Sequence, residues 1–210
     1  GGFVYASPTL ATVDDGTCVY LNGCIDPLAL NYNALATTDD GSCILIGDNY
    51  DGGVLFYVDG GGGGYVASSL TDETVTDWGC DTTSINTSAL VGDGNSNTQE
   101  ILNNCPSAGI AARYCDDASF GGYNDWFLPS QDELNEMYLN IGKGSTSVNS
   151  SGVSNTNIAN FGTNFYWSST QQSTTNAYVN ELANPVVTTG ALDKSTPQYV
   201  RAIRAVTAPV

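Results

Sequence analysis

The chain runs to 210 residues and carries a net charge of −17, from 22 acidic against 5 basic residues and no histidine. Such a surface repels phosphate, which argues against nucleic acid and anionic membranes and leaves cations or neutral sugars as natural partners. At 41% hydrophobic the chain can build a core, whereas the low charged fraction of 13%, with 24 glycines, suits turns and short strands better than long helices.

The opening Gly1-Gly-Phe-Val-Tyr5 lacks the charged and apolar regions of a signal peptide, so the sequence reads as a mature or trimmed chain. No apolar run approaches the roughly 20 residues needed to cross a bilayer, so membrane insertion is not expected. Residues 11–18 (ATVDDGTC) and 36–43 (ATTDDGSC) agree at six of eight positions, 25 residues apart, which is an internal repeat. The second copy, Gly23 to Cys43, is complete, and the first keeps only its C-terminal half. An even count of six cysteines without histidine favours disulfides and an oxidising compartment. Cys24 and Cys43 would close a loop within the complete copy, worth about 3 kcal/mol. Cys18 then lacks its equivalent partner, leaving Cys80, Cys105, Cys115 or a cysteine of a neighbouring molecule.

Beyond Ile44 the strings Gly53-Val-Leu-Phe-Tyr-Val58 and Tyr65-Val-Ala-Ser68 flank five glycines, Gly60 to Gly64, and predict a β-hairpin. A phosphate-cradling loop is the sharper alternative, but no Gly-Lys-Ser/Thr follows. Asn97-Thr-Gln-Glu100 has capping-box spacing ahead of Ile101 and Leu102, with Pro106 as the stop. Residues 107–117 read as a second short helix carrying Ile110, Ala111, Tyr114 and Cys115. Ser130-Gln-Asp-Glu133 is another capping box, followed by Leu134, Met137, Tyr138 and Ile141 at helical spacing and ended by Gly142. Residues 142–160, rich in Ser, Asn, Thr and Gly, predict a long surface loop. The chain then returns to strands at FYWSST, AYVNEL, PVVTT and QYVRAIRAV, so the order of elements predicts an α+β fold with a late antiparallel sheet.

The strings GGYNDWFLPSQDELNEMY, FYWSST and YVRAIRA, with GGVLFYVDG and AARYCDD before them, resemble the C-terminal domain family of bacterial collagen-like adhesins (Lcl) over roughly residues 47–206. The resemblance implies a compact C-type-lectin-like domain, related to the formylglycine-generating-enzyme fold, with antiparallel strands and two or three short helices. It further implies an adhesive or structural module at a cell surface and no enzymatic activity. Many relatives carry a cysteine where this chain has Ala202, which takes away the usual partner of Cys115. Cys80 with Cys105, or Cys105 with Cys115, is then the pairing to decide. The reading takes Cys24, Cys43, Cys80 and Cys105 as bonded and Cys18 and Cys115 as intersubunit or unpaired. The unit GC-D-P-x-A-x-N-Y-N…DDGSC resembles short repeats of secreted bacterial proteins. The expected organisation is a small disulfide-stapled repeat module over 1–45 and the Lcl-like domain over 46–210.

Calcium is the expected ligand, because Asp26, Asn31, Asn33, Asp39 and Asp40 crowd one loop with the oxygens that cation takes. The competing reading is that Asp-Asp-Gly and Asn-Tyr-Asn simply form turns. Asp93-Gly-Asn-Ser-Asn97 begins like an EF-hand but lacks its glycine and glutamate. Asp125 with Glu133 is the carboxylate pair a hydrolase would need, and Lys143 and Lys194 are the lysines open to Ser–Lys chemistry. Trp126 and Trp167 are the residues to stack on surface glycans, unless with Trp78 they pack the core. Arg201 and Arg204 either pair with acids or hold an anion. The sequence thus predicts a non-enzymatic extracellular structural or adhesive protein that self-assembles head to tail into filaments, through a β-prone segment at Phe3-Val-Tyr5, with a lectin-like glycan- or surface-binding module that does not polymerise as the alternative.

Overall fold

A computed structural model describes residues 20–68, 74–186 and 188–209. In chain order the elements are β1 (Asn22–Gly23), β2 (Thr38–Asp39), β3 (Asn49–Tyr50), β4 (Gly53–Val58), β5 (Gly63–Ala67), β6 (Thr74–Thr76), α1 (Gly94–Asn104), α2 (Ala111–Asp116) and α3 (Gln131–Asn140). Then follow β7 (Phe165–Gln171), β8 (Asn176–Glu181), β9 (Thr188–Asp193), β10 (Gln198–Val200) and β11 (Ile203–Thr207). This is the α+β class the sequence predicts, built on a four-stranded antiparallel sheet ordered β11-β5-β4-β3 and a five-stranded sheet ordered β6-β10-β7-β8-β9. Within the larger sheet β10 runs parallel to β7 and the other pairs are antiparallel.

Local chemistry explains most of these elements. The expected hairpin is β4–β5, and Asp59 fastens its turn by accepting from the N–H groups of Gly61 and Gly63 at 2.6 and 2.9 Å. Helix α3 has the predicted capping box: the Ser130 hydroxyl accepts from the Glu133 N–H, and the Glu133 carboxylate accepts from the Ser130 N–H. Its face of Leu134, Met137, Tyr138 and Ile141 is buried with Phe56, Tyr166, Leu182 and Ile203. A second cluster gathers Trp78, Ile101, Trp126, Trp167, Val179, Cys105 and Cys115 between α1, α2 and the larger sheet.

Four expectations shift. Helix α1 starts at Gly94, not after Asn97, because the Asn97 amide is spent on tertiary bonds to both backbone groups of Ser88 and to the Ser169 hydroxyl. Helix α2 is shorter than 107–117, since Gly109 sits at φ +75°, outside helical geometry, and Ile110 is extended. The segment 142–160 is not merely a surface loop: Ser145, Asn155 and Ala159 are buried, and Asn155 donates to the Ile46 carbonyl at 2.8 Å. Finally, QYVRAIRAV is two strands, one in each sheet, with the break at Arg201-Ala202. Both residues of that break are buried, and the Arg201 guanidinium donates to the Ser68 carbonyl at 2.8 Å.

Candidate interaction surfaces

The complete repeat copy is a loop closed by the Cys24–Cys43 disulfide and crossed by the short parallel pair β1–β2. The five predicted calcium ligands lie in it, and each makes a backbone hydrogen bond. Asp26 accepts from Leu28 N–H, Asn33 from Leu35, Asp39 from Gly41 and Asp40 from Ser42, each two residues on. Hydrogen bonding to Ser42 holds the Asp40 carboxyl below its ordinary range. Asn31 uses both ends of its amide, accepting from Ile44 N–H and donating to the Ser42 carbonyl. These are turn-forming bonds, and among the described residues no three His, Cys, Asp or Glu side chains gather as a metal would need. Asp14, Asp15, Cys18 and Phe3-Val-Tyr5 lie outside the described residues.

What the loop does present is apolar surface. Leu28 and Leu35 are 75% and 77% exposed, and Tyr20, Leu21, Ile25 and Tyr32 are exposed beside them in sequence. Only Ala29 and Leu30 turn inward with Cys24, and Leu30 packs against the Gly62–Gly64 end of the hairpin. Single exposed apolar residues are ordinary, but six within sixteen residues suggest a contact surface.

The aromatic sugar platforms do not survive. Trp126 and Trp167 are 2% and 0% exposed, because both belong to the core cluster, and Trp78 is buried with them. The Trp126 indole donates to the Phe120 and Tyr123 carbonyls and that of Trp167 to the Thr76 carbonyl. A ring closed on both faces cannot stack on a glycan.

The charged candidates serve as fastenings. Arg204 on β11 grips Asp125 with two bonds of 2.7 and 3.0 Å, donates to the Asp51 carbonyl and lies 3.8 Å over the Tyr123 ring. The Arg204 guanidinium holds the Asp125 carboxyl below its ordinary pKa. Glu133 does not join Asp125. It is fully buried, and its other oxygen accepts from the Gly92 N–H at 2.9 Å, joining α3 to the segment before α1. Burial raises its pKa against the opposite pull of the Ser130, Gly92 and Gly94 backbone bonds. Gly94 is required there, because an added Cβ would collide with this carboxylate.

Sequence reasoning weighed Lys194 only for Ser–Lys chemistry and missed its place in the interior. Its ammonium is buried, donating to the carbonyls of Cys80, Thr83 and Thr174 and sitting 4.5 Å over the Trp78 ring. Burial pushes its pKa down to about 8, with Asp81 pulling the other way. Rarity was the available signal, since this is one of only 5 basic residues. Cys80 is bonded to Cys105, and Cys115 is a free, buried thiol whose pKa burial drives up. Cys115 and Ala202 share one core cluster.

A groove of about 480 Å3 runs between β6 and the end of α2, lined by Val75, Arg113, Tyr114, Ala118 and Phe120 among others. Among the described residues no helix is long and apolar enough to cross a membrane. Residues 71–204 match the family model described as the Lcl C-terminal domain. The match leaves out the β4–β5 hairpin, yet β5 pairs with β11 to complete the same fold. No curated protein matches the chain.

Proposed function

Since the chain belongs to the Lcl C-terminal domain family, we propose that it is an adhesin-like extracellular protein of structural rather than enzymatic function, binding copies of itself head to tail. The observation that carries self-association is the set of exposed apolar residues from Tyr20 to Leu35, of which Ile25, Leu28, Tyr32 and Leu35 lie in a loop whose disulfide already fixes its shape. A rigid surface gives up little conformational entropy when it is covered, so its apolar area converts efficiently into affinity. The strong negative charge acts as a filter, opposing contacts that are not backed by such area. Two disulfides support a life in an oxidising compartment. The glycan-binding alternative would need residues other than Trp126 and Trp167.

Negative-stain electron microscopy of the native full chain, with and without a chelator, tests the reading. Ordered multimers are expected, and calcium at the joints is the further proposal their loss on chelation would support. Dispersed single particles at every concentration would overturn self-association.

A further inference from the structure

The groove beside β6 has no task in the account above. One wall is the edge of the five-stranded sheet, where, among the described residues, β6 pairs with β10 on one side only. An edge strand offers backbone N–H and C=O groups to an added strand. Val75, in the middle of β6, is 50% exposed. The opposite wall brings Tyr114, Ala118 and Phe120. The two walls are tied at one end, where the Thr76 hydroxyl bonds the Gly109 carbonyl and the Ala111 N–H donates to the Asp77 carbonyl.

Resting on the self-association reading, we propose that this groove is the acceptor site, taking Phe3-Val4-Tyr5 of a second copy as a strand added to β6. Charge selects the occupant. Residues 1–13 carry no charged side chain, whereas the chain as a whole bears 22 acids against 5 bases. An uncharged segment can therefore approach the acidic body of another copy without the repulsion an acidic one would meet. Residue type fits as well: Phe, Val and Tyr are strand formers whose alternating side chains can enter an apolar groove, and Pro8 ends a strand at that point.

Donor root and acceptor lie apart in the fold, so the contact can join two copies. Tyr20, where the described chain begins, belongs to the loop that packs on the Gly62–Gly64 end of the hairpin. The groove belongs to the other, five-stranded sheet and lies by the Ala67 end of β5, since Ala67 pairs with Ile203 at the start of β11 and Val200, just before it, pairs with Thr74. Distinct donor and acceptor surfaces make the contact heterologous, so it repeats from copy to copy. The stretch between Tyr5 and Tyr20 reaches up to about 50 Å when extended, enough to cross to a neighbour.

The test uses full chains, one unlabelled with Tyr5→p-benzoylphenylalanine and the other uniformly 15N-labelled, mixed and irradiated. The expected cross-links join Tyr5 to peptides containing residues 74–76 or 113–120 that carry 15N. Cross-links confined to one isotopic species, or landing on other surfaces, would overturn the proposal. Val75→Glu, at a half-exposed site, should cut the cross-link yield at least tenfold and shift assemblies toward monomer without moving the melting temperature. If V75E assembles as the parent does, the groove is not the acceptor, although self-association stands. If the parent is monomeric at every concentration, self-association fails and the acceptor site with it.

Discussion

Leucines fare differently in two regions of this molecule. Leu55, Leu128 and Leu134 are fully buried in the core, while Leu28 and Leu35 in the disulfide-closed loop stand about three-quarters exposed to water. The difference follows from size. A loop of some twenty residues cannot enclose a core, so its shape rests on Asx turns, two-residue strands and one disulfide. Leu30 is its main apolar anchor to the rest of the fold. Where shape does not depend on burial, apolar side chains are free to serve contact with something else.

The comparison can be broken most directly by truncating one residue in each region. Trp167→Ala removes a fully buried indole and should cost about 3–5 kcal/mol in denaturant unfolding. Leu28→Ala should leave stability within about 0.5 kcal/mol. A large loss at Leu28 in the dilute monomer would mean that the loop carries a core after all.

Next in size is the disulfide. Replacing Cys24 and Cys43 by serine opens a bridge with a sequence separation of 19 and should cost about 3 kcal/mol, confined to the loop. Hydrogen exchange should accelerate over 20–45 and stay unchanged in α3.

Glu133→Ala should cost about 2 kcal/mol, because the buried Ser130 N–H loses its acceptor and the bond from the Gly92 N–H goes with it. The raised pKa of Glu133 adds a pH signature. The folded state holds this proton more tightly than the unfolded one, so the contribution is present below the ordinary glutamate value. It is lost as pH rises through the raised folded value. Glu133→Gln should flatten that dependence in pH-resolved melting curves.

The smallest effect is expected at Asp125, whose side chain is 56% exposed, so solvent screening limits the Arg204 pair to about 0.5–1 kcal/mol. Its depressed pKa gives stability that is present above the ordinary aspartate value of 3.8. That stability disappears as pH falls through the lower folded value. Asp125→Asn should therefore differ from the parent at neutral pH and match it in strong acid.

Patterns that act over a few residues were legible in the sequence. The Ser130–Glu133 box and the apolar spacing behind it mark α3, and the glycine run marks the β4–β5 turn. Legibility failed where a distant partner decides the outcome. Asn97 looks like a cap, but Ser88 and Ser169 draw it into the interior. QYVRAIRAV reads as one strand, because nothing within it shows that β10 and β11 belong to different sheets. Trp78 and Trp167 were ambiguous for the same reason, since their indoles bond Ser168 and Thr76, 90 and 91 positions away. In the loop, the Asp and Asn oxygens carry the same signature whether they bind a cation or close turns, and position alone shows the turn bonds.

The central claim is that the exposed face of the disulfide-closed loop meets another copy of the chain. Hydrogen exchange read by mass spectrometry on the native full chain, from dilute to concentrated solution, tests it most directly. Protection should rise with concentration over residues 20–35 while α3 and β7 stay constant. Exchange over 20–35 that is independent of concentration, in a sample that does assemble, would contradict the account.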